Sequence, residues 1–230
     1  MLAASWEMGK EMWYLLQGQP GSGKTTLLKS ILNRLREEGA RVSGFITEEN
    51  VGRTSSRTGF DIVAVGGDGG SQECERCLFA SKSSKTKHKT GEYYVQVASF
   101  ERVALPTLIV RDDVDVYLID EIGRMEMHSL RFKEAVEQLL KAGKVVVGSI
   151  AAPRYGHVVA FCEELKELEG TMLWNQKKSN RGQVEKEMCR VILEWWNSIG
   201  KMVKGEDGPG GGAIKNKRKL DAINLPEASE

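Results

Sequence analysis

One stretch constrains this chain more than any other: residues 18–25 read GQPGSGKT and satisfy the pattern G-x-x-x-x-G-K-[ST] at every fixed position. Residues 12–17 before it are predicted to form a short buried strand, and leucine and isoleucine recur at helical spacing from Leu27 to Leu35. In a strand, glycine loop and helix of this kind, backbone N–H groups and the helix N-terminus face bound phosphates. The stretch therefore predicts a site for a nucleoside triphosphate.

Two side chains of this loop and two carboxylates downstream are candidates for the chemistry. Lys24 is expected to reach the β- and γ-phosphates, and the Thr25 hydroxyl is expected to bind Mg²⁺. An apolar strand over 114–119 leads into Asp120 and Glu121, which is typical of a Walker B element whose aspartate holds the metal's water shell. Glu121 is a candidate to orient and deprotonate an attacking water. The alternative is that it only stabilises a helix N-terminus.

The composition indicates an ordinary globular protein. The 230 residues are 40% hydrophobic and 28% charged, and the net charge of +1 gives no global attraction to nucleic acid or membranes. Every apolar run is shorter than the about 20 residues that a membrane-spanning helix needs. The 4 cysteines include one C-x-x-C, Cys74 and Cys77, but no second pair, so reduced thiols are expected. We expect a cytoplasmic or nuclear monomer without membrane contact.

The order of patterns predicts one α/β domain between two tails. We expect a lead-in over 1–11, a domain over 12–199 and a disordered tail over 200–230. The predicted elements after the first helix are strands over 42–46, 59–65, 92–97, 114–119, 144–150 and 171–174, and helices over 99–105 (stopped by Pro106), 129–141, 158–168 and 183–198. The second and third strands, joined by a polar loop, predict an antiparallel hairpin. Residues 81–90 carry four lysines and are expected to form an exposed loop.

The chain resembles the THEP-type P-loop nucleoside-triphosphatase family, also called cancer-related-nucleoside-triphosphatase-like. The stretches that carry the resemblance are GQPGSGKTT (18–26), VSGFITEE (42–49), RTGFDIVAV (57–65), GEYYVQVASFERVALP (91–106), IDEIGRMEM (119–127) and SNR (179–181). The resemblance implies a RecA-like fold, a three-layer αβα sandwich with a mostly parallel sheet and an added antiparallel hairpin. It also implies hydrolysis of ATP, GTP and other nucleoside triphosphates to the diphosphate and phosphate with Mg²⁺.

The resemblance assigns site residues by position. Lys24 and Glu121 match the catalytic positions, and Thr25 and Asp120 match the metal positions. The expected nucleotide contacts are Gly18, Gln19, Pro20, Gly21, Ser22, Gly23, Lys24, Thr25, Thr26, Leu118, Ile119, Asp120, Glu121, Ile122, Gly123, Asn180 and Arg181. Of these, Asn180 and Arg181 match a segment near the base.

Two other functions are compatible with the same patterns. A nucleotide or nucleoside kinase would need an acceptor pocket and an arginine-bearing lid, for which the 47–58 loop with Arg53 and Arg57 is a candidate. A nucleotide-gated binding module would use the lysines of 82–89 to hold nucleic acid, although a solvated loop is the simpler interpretation. Phosphate release without an acceptor would favour the hydrolase, and salt-sensitive RNA binding would favour the third function.

Overall fold

The protein is described from a computed structural model that covers residues 13–52, 56–66, 75–153 and 156–204, with side chains up to residue 198. The strands are β1 (Trp13–Gly18), β2 (Val42–Val51), β3 (Arg57–Val65), β4 (Arg76–Ser81), β5 (Lys89–Thr90), β6 (Tyr93–Val95), β7 (Val116–Ile122), β8 (Val146–Ala151) and β9 (Thr171–Gln176). The α-helices are α1 (Lys24–Glu37), α2 (Val97–Thr107), α3 (Leu130–Lys141), α4 (Ala160–Glu167) and α5 (Arg181–Lys204), and a 3₁₀ turn spans Glu126–His128.

The chain divides into two compact units, Met1–Leu193 and Glu194–Glu230. The first unit holds the sheet and helices α1 to α4. Within the described part of the second unit, the last turns of α5 bring the rings of Trp195 and Trp196 to a centroid distance of 6.2 Å. The expected lead-in and most of the expected tail lie outside the described residues, so those boundaries stay predictions. No helix in the described ranges is long and apolar enough to span a membrane.

A single nine-stranded sheet has the order β5-β6-β4-β3-β2-β7-β8-β1-β9. Strands β2, β7, β8, β1 and β9 are parallel to one another, whereas β3, β4, β6 and β5 extend the sheet by antiparallel pairing. The expected α/β fold with a largely parallel sheet and a β2–β3 hairpin is confirmed. The antiparallel part extends beyond that hairpin. Strand β4 was not predicted, and the lysine-rich 81–90 segment, which was expected to form an exposed loop, contains the last residue of β4 and all of β5.

The central parallel strands β1, β7 and β8 are mostly apolar because helices cover both of their faces. Every second residue of β7 faces the same side of the sheet. On one side, Tyr117 and Ile119 belong to a core that includes Phe100 of α2 and Phe132 of α3. On the other face, α1 packs against β1, β2, β7 and β8 with its own buried row of leucine and isoleucine side chains. The two helix layers and the sheet give the three-layer arrangement.

Two predicted helix ends differ from the structure. Pro106 was expected to stop α2, but it lies inside the last turn of the helix, which ends at Thr107. A proline in the last turn removes only one backbone donor. The helix then ends with a 3₁₀-type hydrogen bond, in which Leu108 N donates to Leu105 O at 3.1 Å. Helix α5 begins at Arg181 and extends to Lys204, past the expected end at Ser198.

Candidate active site

The phosphate loop connects β1 to α1 at the carboxyl edge of the parallel strands. Gly23 has a φ of 97° and precedes the first residue of α1, a left-handed conformation that glycine adopts without strain. Two glutamines fix the loop to its surroundings: Gln176 of β9 donates to Ser22 O at 2.7 Å, and Gln19 of the loop itself donates to Pro153 O at 3.0 Å. The loop is therefore held between the ends of β8 and β9.

The side chain of Lys24 connects the phosphate loop to β7. Its side chain is only 6% exposed, and its Nζ lies 2.8 Å from Gly18 O and 2.9 Å from Glu121 Oε2. The ammonium group is thus directed across the loop rather than into solvent. Glu121 is 29% exposed, so the pair stands at the boundary between protein and water.

Asp120 is a buried carboxylate that is surrounded by hydroxyl donors. Ser149 Oγ donates to Oδ1 at 3.0 Å, the Thr47 hydroxyl lies 3.3 Å from Oδ2, and the Thr25 side chain also bonds the carboxylate. Burial raises the pKa of Asp120, and these hydrogen bonds oppose the rise. In the described part of the chain no lysine or arginine forms an ion pair with this carboxylate. Hydroxyl and carboxylate oxygens are the ligands that Mg²⁺ prefers, so the pair Thr25 and Asp120 fits a magnesium ion.

A third carboxylate, Glu126, lies beside Glu121 although the sequence analysis assigned it no role. Glu126 Oε2 and Glu121 Oε1 lie 3.0 and 3.1 Å from the point that a Cβ on Gly123 would occupy. Glu126 is 5% exposed, and burial together with the charge of Glu121 raises its pKa well above the usual value. Burial also raises the pKa of Glu121, while Lys24 opposes this. Glu126 accepts backbone N–H bonds from Gly123 and from itself.

Arg181 and Asn180 lie at the start of α5, next to the loop. The Arg181 guanidinium lies 3.2 Å from the position of a Cβ on Gly23, so it covers the N-terminus of α1. Asn180 instead shapes the turn before α5: its Oδ1 accepts from Lys177 N at 2.7 Å and its Nδ2 donates to Asn175 O at 3.0 Å. The structure thus brings Arg181, but not the amide of Asn180, towards the loop.

The remaining expected contacts fall into two groups. Gln19, Pro20, Gly21 and Thr26 are exposed. Leu118, Ile119 and Ile122 have fully buried side chains in the sheet, which leaves them only backbone atoms to offer. Of the lid residues, Arg53 lies outside the described residues, and Arg57 pairs with Glu49 on β2.

Sequence reasoning missed Thr47, Ser149 and Gln176. Ser149 gave a usable signal, because it is the one hydroxyl in the buried run VVGSIA of β8, and a polar group in such a place needs a partner. Gln176 is buried in the same way at the end of β9. Thr47 gave no such signal, since its partner Asp120 is 73 residues away.

Comparison with known proteins shows the family to which the chain belongs. A family model described as NTPase matches residues 14–189. The cancer-related nucleoside-triphosphatase of Homo sapiens is 37% identical over 175 residues, which are 74% of this chain and 90% of that protein. The nucleoside-triphosphatase THEP1 of Aquifex aeolicus is 34% identical over 188 residues, which are 79% of this chain and 99% of that protein.

Two solved structures are similar as well. The crystal structure of THEP1 from Aquifex aeolicus has a TM-score of 0.64 and covers 77% of this chain and 96% of its own. The solution structure of a human cancer-related nucleoside triphosphatase has the same TM-score of 0.64 and covers 81% and 98%. The chain belongs to the NTPase family, of which the cancer-related nucleoside-triphosphatase and THEP1 are members.

Proposed function

We propose that this chain hydrolyses the γ-phosphate of ATP, GTP and other nucleoside triphosphates to the diphosphate and inorganic phosphate. The observation that carries the proposal is the convergence of Lys24 and Glu121, 2.9 Å apart, between the phosphate loop and the end of β7. A cation suited to phosphates and a carboxylate suited to activating water thus lie side by side, which supports the proposal. The relatives' names, all nucleoside-triphosphatases, support hydrolysis rather than transfer to an acceptor.

Binding of the triphosphate rests on the loop and on α1. Backbone N–H groups of the loop and the N-terminus of this 14-residue helix supply partial positive charge to the phosphate oxygens. Lys24 adds a full charge where negative charge grows on the transferring group. Arg181, whose guanidinium covers Gly23, supplies a second cation on the side of the loop towards β9.

Thr25 and Asp120 would hold Mg²⁺. A magnesium ion held by these two residues would supply positive charge where negative charge develops on the phosphates. The protein's own contribution is to fix Asp120, because donors from Ser149 and Thr47 leave its carboxylate little freedom to rotate. We therefore regard Ser149 and Thr47 as positioning residues for this carboxylate.

Glu121 would activate the attacking water. The water oxygen forms a bond to the γ-phosphorus, the bond from that phosphorus to the bridging oxygen breaks, and the proton passes to the Glu121 carboxylate. Phosphate oxygens compete with Glu121 for the ammonium of Lys24, and each contact they gain frees the carboxylate to accept that proton. Glu126 and Gly123 form the wall behind Glu121 and limit where its side chain can lie.

The test is phosphate release from ATP, GTP, CTP and UTP with Mg²⁺, with and without nucleoside monophosphates or nucleosides as acceptors. We expect phosphate from several triphosphates without any acceptor. Lys24→Ala should reduce turnover by on the order of 10²-fold or more, because one preorganised charge is lost. Diphosphate formation that depended on an added acceptor, or full activity of a folded Lys24→Ala variant, would overturn the proposal.

A further inference from the structure

The segment of residues 82–89, here called the lysine segment, is a fixed part of the fold. The Thr86 hydroxyl lies 3.0 Å from His88 O and 2.9 Å from Val95 O, and the backbone N–H of Val95 donates to His88 O at 2.8 Å. Further along, Gln96 Nε2 donates to Ser84 O at 3.3 Å. A merely solvated insertion would not need side-chain bonds to hold its backbone against β6. The backbone from which the lysine side chains extend is therefore held in a fixed arrangement.

The charge on this segment is largely uncompensated. Lys82 pairs with Glu92 at 2.9 Å, but Lys85 and Lys87 are exposed and form no ion pair with any residue that the structure describes. Arg124, in the turn after β7, is exposed and equally unpaired within the same ranges. Exposed cations without counter-charges are typical of a surface that binds an anionic partner.

A groove continues from the end of the lysine segment. It has a volume of about 400 Å³ and lies between the β5–β6 hairpin, the turn after β7 and the chain before α4. Lys89, Arg124 and His128 supply its polar side, and Met127 and Val158 supply an apolar wall. Among the described residues that line it, none is acidic. The groove can thus receive a group that is flat and apolar on one side and anionic on the other.

Aromatic rings accompany the cations along the same edge of the sheet. The Lys82 Nζ lies 5.4 Å from the centroid of Tyr93, and the Lys89 Nζ lies 5.1 Å from the centroid of Tyr94. The rings of His88 and His128 are 5.1 Å apart. Alternating cations and rings are the means by which proteins hold the phosphates and bases of a flexible strand.

We propose that the lysine segment and this groove bind single-stranded nucleic acid. The phosphates contact Lys85, Lys87, Lys89 and Arg124, and an unstacked base enters the groove against Met127 and Val158. A small phosphorylated molecule would explain the groove but not Lys85 and Lys87, which lie outside its lining. A duplex would leave the apolar wall empty, because its bases are stacked and paired. This inference does not depend on the proposed hydrolysis.

The experiment measures binding of a fluorescently labelled 20-nucleotide single-stranded RNA to the whole chain by anisotropy, at several salt concentrations. The C-terminal run at 215–219 contains Lys215, Lys217, Arg218 and Lys219 and is a competing source of binding. All proteins compared therefore carry alanine at these four positions. The test variant adds Lys85→Ala and Lys87→Ala. The control adds Lys141→Ala and Lys186→Ala, which remove the same charge from exposed helix positions.

Four phosphate contacts predict a slope of log affinity against log salt near −3, since each contact to a single strand contributes about −0.7. Raising the salt from 50 to 200 mM should then weaken binding by about 50-fold in the parent and by only about 7-fold in the test variant. The control should follow the parent. Triphosphate hydrolysis, measured in the same preparations, should be unchanged in both variants.

The proposal would be overturned by a lack of salt-dependent binding in the parent, by equal slopes in the test and control variants, or by preference for a duplex over the single strand. Competition by inorganic phosphate as strong as by the oligonucleotide, compared per phosphate, would also overturn it, because it would indicate a small-anion site. A failure of hydrolysis in the parent would leave the binding data valid and would count only against the proposed function.

Discussion

Replacing Glu121 by glutamine separates water activation from nucleotide binding. Glutamine has nearly the same size and can still accept a hydrogen bond from Lys24, but it cannot take a proton from water. If Glu121 is the general base, hydrolysis should fall by roughly 10²-fold, the lower part of the range for lost acid–base catalysis. The fold should be retained, since the side chain is 29% exposed and its neighbours keep their contacts.

The same substitution should strengthen triphosphate binding. Two unit charges 2.9 Å apart attract by roughly 6 kcal/mol at an effective dielectric constant of about 20. Desolvation and partial exposure reduce the net value of such a pair to about 1 kcal/mol. Because Lys24 no longer has to leave a carboxylate when it meets the phosphates, the affinity should rise by about fivefold. A variant that binds more tightly and turns over more slowly is the expected result.

The assay is single-turnover hydrolysis together with equilibrium binding of the triphosphate. Glu48→Gln is the matched control, because Glu48 also pairs with a lysine, Lys29, and is likewise 29% exposed. The control should retain the parent's rate within about twofold. Hydrolysis at the parent's rate in Glu121→Gln would refute the general-base role. Binding weaker by tenfold or more would refute the competition between phosphate and Glu121 for Lys24.

Three further substitutions test the surroundings of this pair. Asp120→Asn should weaken Mg²⁺-dependent binding, and added Mg²⁺ should recover part of the loss. The amide has no charge to attract the ion, and its NH₂ group replaces one of the oxygens that accept from Ser149 or Thr47. A rate independent of Mg²⁺ would contradict this. Glu126→Gln should raise the free energy of unfolding, measured in urea, increasingly as the pH rises above about 4.5. In the folded protein the pKa of this carboxyl is raised, so the parent loses stability as the pH rises from the unfolded-state pKa towards the folded-state pKa. A stability difference between the variant and the parent that shrinks as the pH rises would contradict this. Gly44→Ala should lower the free energy of unfolding by at least about 2 kcal/mol, because its Cβ would lie 1.9 Å from Leu118 O at a φ of +144°; a loss below about 0.5 kcal/mol would contradict this.

The local parts of the fold could be predicted from the sequence. The phosphate loop, α1, the β2–β3 hairpin and the strand that carries Asp120 each have a pattern that is complete within about 20 residues. Strand β4, RCLFAS, has no such pattern: its buried half is Phe79, Ala80 and Ser81, and it exists because β3 and β6 pair with it on either side. Pairing between distant segments is decided by the whole sheet and leaves little trace in a single strand.

The site was predictable to the same extent. Residues inside the two motifs could be named, whereas those that hold the motifs in place come from other strands. Thr47 from β2 and Ser149 from β8 flank β7 on either side, and they meet Asp120 only because these strands are neighbours in the sheet. Leu118 and Ile119 are the opposite case: they are near Asp120 in the sequence, but alternation along β7 directs both side chains into the core, so their predicted nucleotide contact rests on backbone atoms alone.

The half of the sheet that runs from β2 to β5 contacts the Walker B segment at two places. Strand β2 pairs with β7 up to Phe45 and Ile119 and then continues in the hairpin, so that Thr47 reaches Asp120. At the far edge, the Thr90 hydroxyl of β5 lies 2.9 Å from His128 Nε2, in the 3₁₀ turn that begins at Glu126. Strands β2 and β5, which belong to the same half of the sheet, therefore contact the segment from Asp120 to His128 at its two ends.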